Sequence, residues 1–288
     1  MMARSTLLAL LAAALAPTSA HAQAAVQPAP SVSAMPAAQL ANPRASITGL
    51  QFLYGSGEAV AISRQTYAAL EGYALAQAAH RPVSSVVLAD GATLGAPSYA
   101  PCGDKPLAAV FDIDETVILN TGLMHSRALG PGAPRDTAVL PVPGAVEAIR
   151  ALKAAGVTAI YNTNRTTDMT DGVIATLTSV GLDAPVHGDT LFLNGDDALR
   201  GNKDGRRARI AAKWCVIAMA GDQLGDFSEL FNAKDLSVAE RRRATLEGPT
   251  STNWGRGWFA LPNSAYGTAL EGGLDEIFPG SNKTKDER

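Results

Sequence analysis

Two aspartates, Asp112 and Asp114, follow directly on the apolar run Ala109-Val110-Phe111. The pattern predicts a buried strand that presents carboxylates at its tip. Residues i and i+2 of a strand share a face. Both acids can therefore enter one crevice beyond the carboxyl end of a sheet, where open α/β sheets place their ligands. Two carboxylates held together repel unless a cation or a shared proton relieves them. The pair points to a divalent metal, an acid/base pair, or both. The bland alternative is a strand followed by an acidic turn.

Comparable residues end two further apolar segments. Residues 157–161 run into Asn162-Thr163-Asn164-Arg165, and residues 216–220 run into Gly221-Asp222, with Asp226 close behind. Lys203 stands at the head of a basic helix predicted over 204–212. If these strands are parallel, their tips converge on one site. Carboxylates, a hydroxyl and an ammonium make little sense as a fold-stabilising cluster. They suit phosphoryl transfer assisted by a metal, where positioning and charge neutralisation do most of the chemistry.

The elements that must hold these groups are read from spacing. Ser63 is placed as the cap of a helix with Tyr67, Leu70, Ala74 and Ala78 on one face, ending before Pro82. Pro143-Gly144 opens a helix with Val146, Ile149 and Leu152 on its apolar side, stopped by Gly156. A helix over 171–180 and a short strand over 190–193 follow, with a Gly- and Pro-bearing loop over 121–140 earlier in the chain. Strands alternating with helices give an α/β fold, a mainly parallel sheet with helices on both faces. The expected organisation is a signal peptide over 1–22, a disordered Ala/Pro/Gln/Ser linker over 23–45, and one domain over 46–288 that starts with a helical extension.

The signal peptide is read from Arg4, the apolar run over 7–16 and the small-x-small site Ala20-His21-Ala22. It predicts export to the periplasm or medium without a stable membrane anchor, because no cysteine near the cleavage site offers a lipid attachment point. A net charge of −3 gives no footprint for a nucleic acid polymer or an anionic membrane. The clusters Arg206-Arg207-x-Arg209 and Arg241-Arg242-Arg243 read as solvated helix faces. Cys102 precedes one strand and Cys215 begins another, so neighbouring strands would bring them to the same end of the sheet. A disulfide and two free thiols both remain open. Glu115 reads as a turn-orienting residue. His125 and His187 have no partners at metal-ligand spacing. Oligomeric state is not legible.

In order along the chain, Asp112-Ile113-Asp114-Glu115-Thr116, Thr163 after a strand, Lys203, and Gly221-Asp222-x-x-x-Asp226 resemble the four motifs of haloacid dehalogenase (HAD) superfamily phosphatases. Phe111, Pro143-Gly144-Ala145-Val146, Thr163-Asn164-Arg165, Arg206, Gln223-Leu224-Gly225, Phe227, Leu261-Pro262-Asn263 and Tyr266-Gly267 resemble its class C acid phosphatase branch, subfamily IIIB, which includes 5′-nucleotidases and outer-membrane lipoproteins. The likeness covers about residues 50–275.

The resemblance implies a HAD-like Rossmannoid sheet and a Mg²⁺-dependent phosphomonoesterase. Asp112 would be the nucleophile and Asp114 the acid/base. Thr163 and Lys203 would bind the transferring phosphoryl group. Asp112, the Asp114 carbonyl and Asp222 would hold Mg²⁺, with Asp226 behind them orienting Lys203 or a metal-bound water. Asn164, Arg165 and Tyr266 would contact substrate, a small-molecule phosphate monoester. The intervals from Asp112 to Thr163 and from Thr163 to Lys203 are too short for a large inserted cap. Nucleotide-cleaving relatives stack the base between aromatic rings. Tyr266 supplies one ring, Trp254 and Trp258 could line the pocket or sit in the core, and the 121–140 loop has no Phe, Tyr or Trp. Broader monoester specificity is therefore open, as are phosphotransfer to an alcohol and a non-catalytic binding role on the same fold.

Overall fold

The computed structural model describes residues 47–278 except 135 and 200. Residues 1–46, including the expected signal peptide and linker, lie outside the described residues. The elements run in the order α1 (Ile47–Gly55), α2 (Gly57–His80), β1 (Ser84–Leu88), β2 (Tyr99–Pro101), β3 (Leu107–Phe111), β4 (Ile118–Leu119), α3 (Thr121–Leu129), β5 (Leu140–Pro141), α4 (Ala145–Ala154), β6 (Thr158–Thr166), α5 (Thr170–Ser179), β7 (Leu191–Asn194), α6 (Asp204–Lys213), β8 (Cys215–Gly221), α7 (Val238–Glu247) and β9 (Trp258–Ala260).

Five strands form one parallel sheet in the order β7-β6-β3-β8-β9. From β3 the chain moves outward through β6 to β7, then returns to β8 on the other side. The order reverses between β3 and β8, and such a reversal opens a crevice at the carboxyl ends of the strands.

Both faces of the sheet are covered. Along β3, Ala109 and Phe111 join the apolar cluster of α2, α4 and α5, whereas Ala108 and Val110 join that of α6 and the residues around β9. This is the period-two alternation of a doubly covered strand. Each fully buried Leu or Ile contributes about 1.5–3 kcal/mol; Leu70, Leu152 and Leu177 on one face and Ile210 on the other are all completely buried. Gly144 takes a left-handed φ of 94° before α4, and a Cβ there would lie 3.0 Å from the Tyr67 Cβ. Glycine thus both makes the turn and lets α2 and α4 approach.

The structure corrects several expectations. Helix α2 begins at Gly57, with the Ser56 hydroxyl accepting from the Ala59 amide, and Ser63 lies inside the helix. Ser56 has the same capping chemistry as Ser63, and an apolar face that starts earlier decides between them. The 121–140 segment is not wholly loop, because α3 occupies its first part. Strand β6 runs past the expected end at 161 to Thr166, so residues 162–165 are part of the strand itself. Arg206 and Arg207 are 0% and 1% exposed and Arg241 is also buried, so these three leave the solvated face, whereas Arg209, Arg242 and Arg243 are exposed as expected.

Trp258 is in the core, and Trp254 packs against it partly buried. They pack with Phe227 and Phe231 at ring separations of 5.0 to 6.3 Å. Cys102 and Cys215 form a disulfide with a Cα–Cα distance of 4.6 Å, because Cys215 pairs with Leu107 at the start of neighbouring β3. Among the described residues, no helix is long and apolar enough to cross a membrane.

Candidate active site

Strand β3 ends at Phe111 and delivers Asp112 into the crevice beside β8, with the Asp112 amide bonded to the Ala220 carbonyl at 3.0 Å. The chain then turns sharply. Glu115 takes a left-handed φ of 57°, a conformation that strains a side-chain-bearing residue. The turn is held by bonds from the Glu115 amide to the Ile118 carbonyl and from the Val117 and Ile118 amides to the Ile113 carbonyl. Tyr67 of α2 supports it from beneath through its hydroxyl to the Thr116 carbonyl at 2.7 Å. The N-terminal helical extension thus underpins the acidic turn.

The Glu115 side chain is 1% exposed. Its Oε1 accepts from the Asn120 amide and side chain at 3.3 and 2.9 Å, and the Tyr54 hydroxyl lies beside the carboxylate. Burial pushes its carboxyl up to about 7 against the lowering effect of Asn120 and the Tyr54 hydroxyl.

Lys203, the residue capping α6, is buried between two carboxylates. Its Nζ lies 2.5 Å from Asp112 Oδ1 and 2.7 Å from Asp226 Oδ1. Burial alone would lower its pKa, but the two carboxylates outweigh that and raise it. Asp226 is fixed from the other side, where its Oδ2 accepts the Gln223 amide at 2.9 Å. Gly221 is required here, since a Cβ on it would fall 2.2 Å from the Asp226 Cβ.

Asp222 accepts from Thr116 at 3.2 Å, Gln223 at 3.0 Å and Asn263 at 2.6 Å. Burial, then the neighbouring Asp226, pushes its carboxyl up to about 6. Asp112 is raised by burial and by Asp226, Asp222 and Asp114 against the lowering effect of Lys203.

Carboxylate oxygens of Asp112, Asp222 and Asp226 lie within 4.8 Å of one another. Three acids facing one ammonium leave an excess of negative charge in a desolvated place. That donor set fits a hard divalent cation with oxygen ligands. Lys203 is shared by Asp112 and Asp226, while Asp222 is held by Thr116, Gln223 and Asn263 and has no bond to the ammonium.

The tip of β6 sorts its residues by alternation. Thr163 is fully buried, and its Oγ1 accepts the Arg165 amide at 3.1 Å. Arg165 turns to the β3 side and grips Asp114 through Nε at 3.1 and 3.2 Å and Nη2 at 2.7 Å. Asn162 and Asn164 point the other way, both toward Arg206, at 2.8 and 2.7 Å. Of the expected substrate contacts, Arg165 meets Asp114 and Asn164 meets Arg206.

A wall over the acids is built from separate parts of the chain. Leu53, Met124 and Ala265 are buried together with Leu50, Tyr54 and Tyr266 packed against them. Burial, then Glu115, Asp222 and Asp114, raises the Tyr266 phenol. The Tyr54 phenol is raised by burial and Glu115. Both rings therefore stand near the carboxylates, and Met124 of α3 occupies the side where no aromatic was found in sequence. His125 is exposed on α3, and His187 bonds Asp196 at 2.7 Å, away from the acids.

Sequence reasoning missed Asn120 and Tyr54. Asn120 links the whole turn: its Nδ2 donates to Asp114 at 2.8 Å and to Glu115, and its Oδ1 accepts from Arg165 at 3.0 Å. A lone Asn ahead of a helix reads only as a cap. Tyr54 lies far upstream of the motifs and only the fold brings it near.

A family model described as HAD superfamily, subfamily IIIB (acid phosphatase) matches residues 61–269. No curated protein matches the sequence with significance. Among solved structures, the class C acid phosphatase from Bacillus anthracis is 23% identical, with a TM-score of 0.60 over 81% of this chain and 89% of that one. The same enzyme with tungstate bound gives 22% identity and a TM-score of 0.61 over 82% and 90%. At these identities the likeness is one of fold. The family match spans most of the chain and takes in Asp112, Asp114, Thr163, Lys203, Asp222 and Asp226, and the chain belongs to the subfamily IIIB acid phosphatases of the HAD superfamily, a family of phosphomonoesterases.

Proposed function

We propose that this chain is an exported, Mg²⁺-dependent acid phosphatase that works through an aspartyl-phosphate on Asp112. The observation that carries the reading is Lys203, buried between Asp112 and Asp226, with Asp222 completing an acidic pocket at the strand-order reversal. Asp112 and Asp222, with the Asp114 carbonyl, would hold Mg²⁺. When bound, the ion supplies neutralisation of the phosphoryl oxygens.

Asp112 attacks phosphorus. The ester oxygen leaves with the bonding electrons and takes a proton from Asp114. Lys203 and the Thr163 hydroxyl balance charge on the oxygens of the transferring group. Water, giving its proton to Asp114, then attacks phosphorus, releases orthophosphate and restores Asp112. Arg165 and Asn120 hold the Asp114 carboxylate in a fixed orientation, which is the preorganisation that acid/base work needs.

Substrates are small phosphate monoesters, 5′-nucleotides among them. The Tyr54, Met124 and Tyr266 wall favours an apolar or aromatic leaving group without dictating a nucleobase. The cleavable leader at 1–22, the linker at 23–45 and the disulfide together support export to an oxidising compartment. The test is hydrolysis of p-nitrophenyl phosphate by wild type and Asp112→Asn, with Mg²⁺ and with chelator. Turnover that survives chelator, or an Asp112→Asn enzyme as fast as wild type, contradicts the proposal. A nucleotide and sugar phosphate panel then ranks substrates.

A further inference from the structure

Two consecutive arginines, Arg206 and Arg207, are completely buried on the first turn and a half of α6, directly after Lys203. Burying a guanidinium is expensive unless its donors are used. Their donors go to different places. Arg206 donates from Nε to Asn162 Oδ1 at 2.8 Å, from Nη2 to Asn164 Oδ1 at 2.7 Å, and from Nη1 to the Leu193 carbonyl at 3.2 Å. Asn162 and Asn164 flank Thr163, so the guanidinium fork fixes the strand backbone that aims the Thr163 hydroxyl the opposite way. Arg207 donates from Nη1 to the Gly225 and Asp226 carbonyls at 2.8 and 2.9 Å, and from Nη2 to Asp204. Its fork fixes the backbone of the loop that carries Asp222 and Asp226. Asp204 is itself tied to that loop's continuation through the Glu229 amide, and Glu229 accepts the Lys203 amide at 3.1 Å.

We infer that the pair is a two-sided brace: Arg206 positions the phosphate-binding tip of β6 and Arg207 positions the acidic metal-side loop, both referenced to the helix that carries Lys203. Both guanidinia are buried and donate to protein acceptors. They are positioning residues, and the division of labour between adjacent side chains distinguishes this role from general support of the fold. The inference rests on the phosphatase reading above.

Lysine at either position keeps the charge and loses the fork. The test measures, by calorimetry, orthophosphate binding at saturating Mg²⁺ and Mg²⁺ binding without phosphate, for wild type, Arg206→Lys and Arg207→Lys. Losing a residue that orients a ligand-bearing group weakens binding about tenfold or more. Arg206→Lys should weaken orthophosphate about tenfold with Mg²⁺ affinity unchanged, and Arg207→Lys should do the reverse. Asn162→Ala and Asp204→Asn cut the same braces from the partner side. They should give the same two patterns at smaller amplitude, and they stand in if either lysine variant does not fold. Equal losses of both affinities in both variants, or a lowered melting temperature with neither affinity changed, overturn the brace. Wild type that binds neither ion nor phosphate overturns the phosphatase reading itself, a result separable from the other two.

Discussion

Replacing Glu115 by glutamine tests the electrostatics beneath the catalytic turn. The carboxyl is almost fully buried and its ordinary value of 4.5 is pushed up to about 7, chiefly by desolvation. At about 1.4 kcal/mol per pH unit, the displacement corresponds to about 3 kcal/mol between the two protonation states. Below about pH 4.5 the group is protonated whether the chain is folded or not, and contributes nothing to pH dependence. Between about 4.5 and 7 the unfolded chain ionises while the folded one holds its proton, so native stability falls as pH rises. Above about 7 the full penalty is present. Glutamine keeps the Oε1 acceptor for Asn120 and does not titrate. The stability gain of Glu115→Gln over wild type should therefore grow by about 3 kcal/mol from pH 4.5 to 8. In a domain of this size that is a relative melting shift of about 5–10 °C. Urea unfolding of both proteins across that range, with chelator present, reads the difference directly, since other groups titrate in both and cancel. Parallel stability curves would refute the reasoning, whatever their offset.

Three further outcomes are expected. Asp222, pushed up to about 6, must lose its proton before it can bind a cation. Mg²⁺ affinity measured by calorimetry should fall roughly tenfold per pH unit below 6, and an affinity constant from pH 4.5 to 7 would contradict this. Reducing the disulfide between Cys102 and Cys215, or replacing both by alanine, frees a closed loop of 113 positions. It should destabilise the fold by about 3–5 kcal/mol; a thermal midpoint insensitive to reductant would contradict it. Gly221→Ala should displace Asp226 and lower both stability and Mg²⁺ affinity, because the added methyl overlaps the Asp226 Cβ. A wild-type crystal structure and affinity for Gly221→Ala would remove that argument.

The sheet was legible because β3, β6 and β8 begin as continuous apolar runs that end in polar residues, the signature of strands covered on both faces. The acids at the tips were legible for the same reason. Asp112, Lys203, Asp222 and Asp226 were expected at one place and stand there within hydrogen-bonding or ligating distance. What escaped depends on tertiary placement. Arg206 and Arg207 read as solvated because an Arg-rich helix usually is; the fold brings acceptors on β6, β7 and the 222–226 loop to them, alongside Asp204 on their own helix. Trp258 is a strand residue of only three positions in β9, too short a run to show a period. Ser63 and Ser56 are the same cap chemistry seven positions apart, and the choice between them belongs to where the buried face of α2 begins, at Ala59. Tyr54 carries no local mark of function at all.

The central claim is that Asp112 becomes covalently phosphorylated. An acyl phosphate is reduced by borohydride, whereas a free carboxylate is not. Wild-type enzyme quenched during turnover of p-nitrophenyl phosphate, reduced, digested and mapped by mass spectrometry should carry the reduced side chain at position 112 and at no other acid. The mark should vanish without substrate and in Asp112→Asn. Sustained turnover with position 112 unmodified, or the mark on a different carboxylate, would contradict the account.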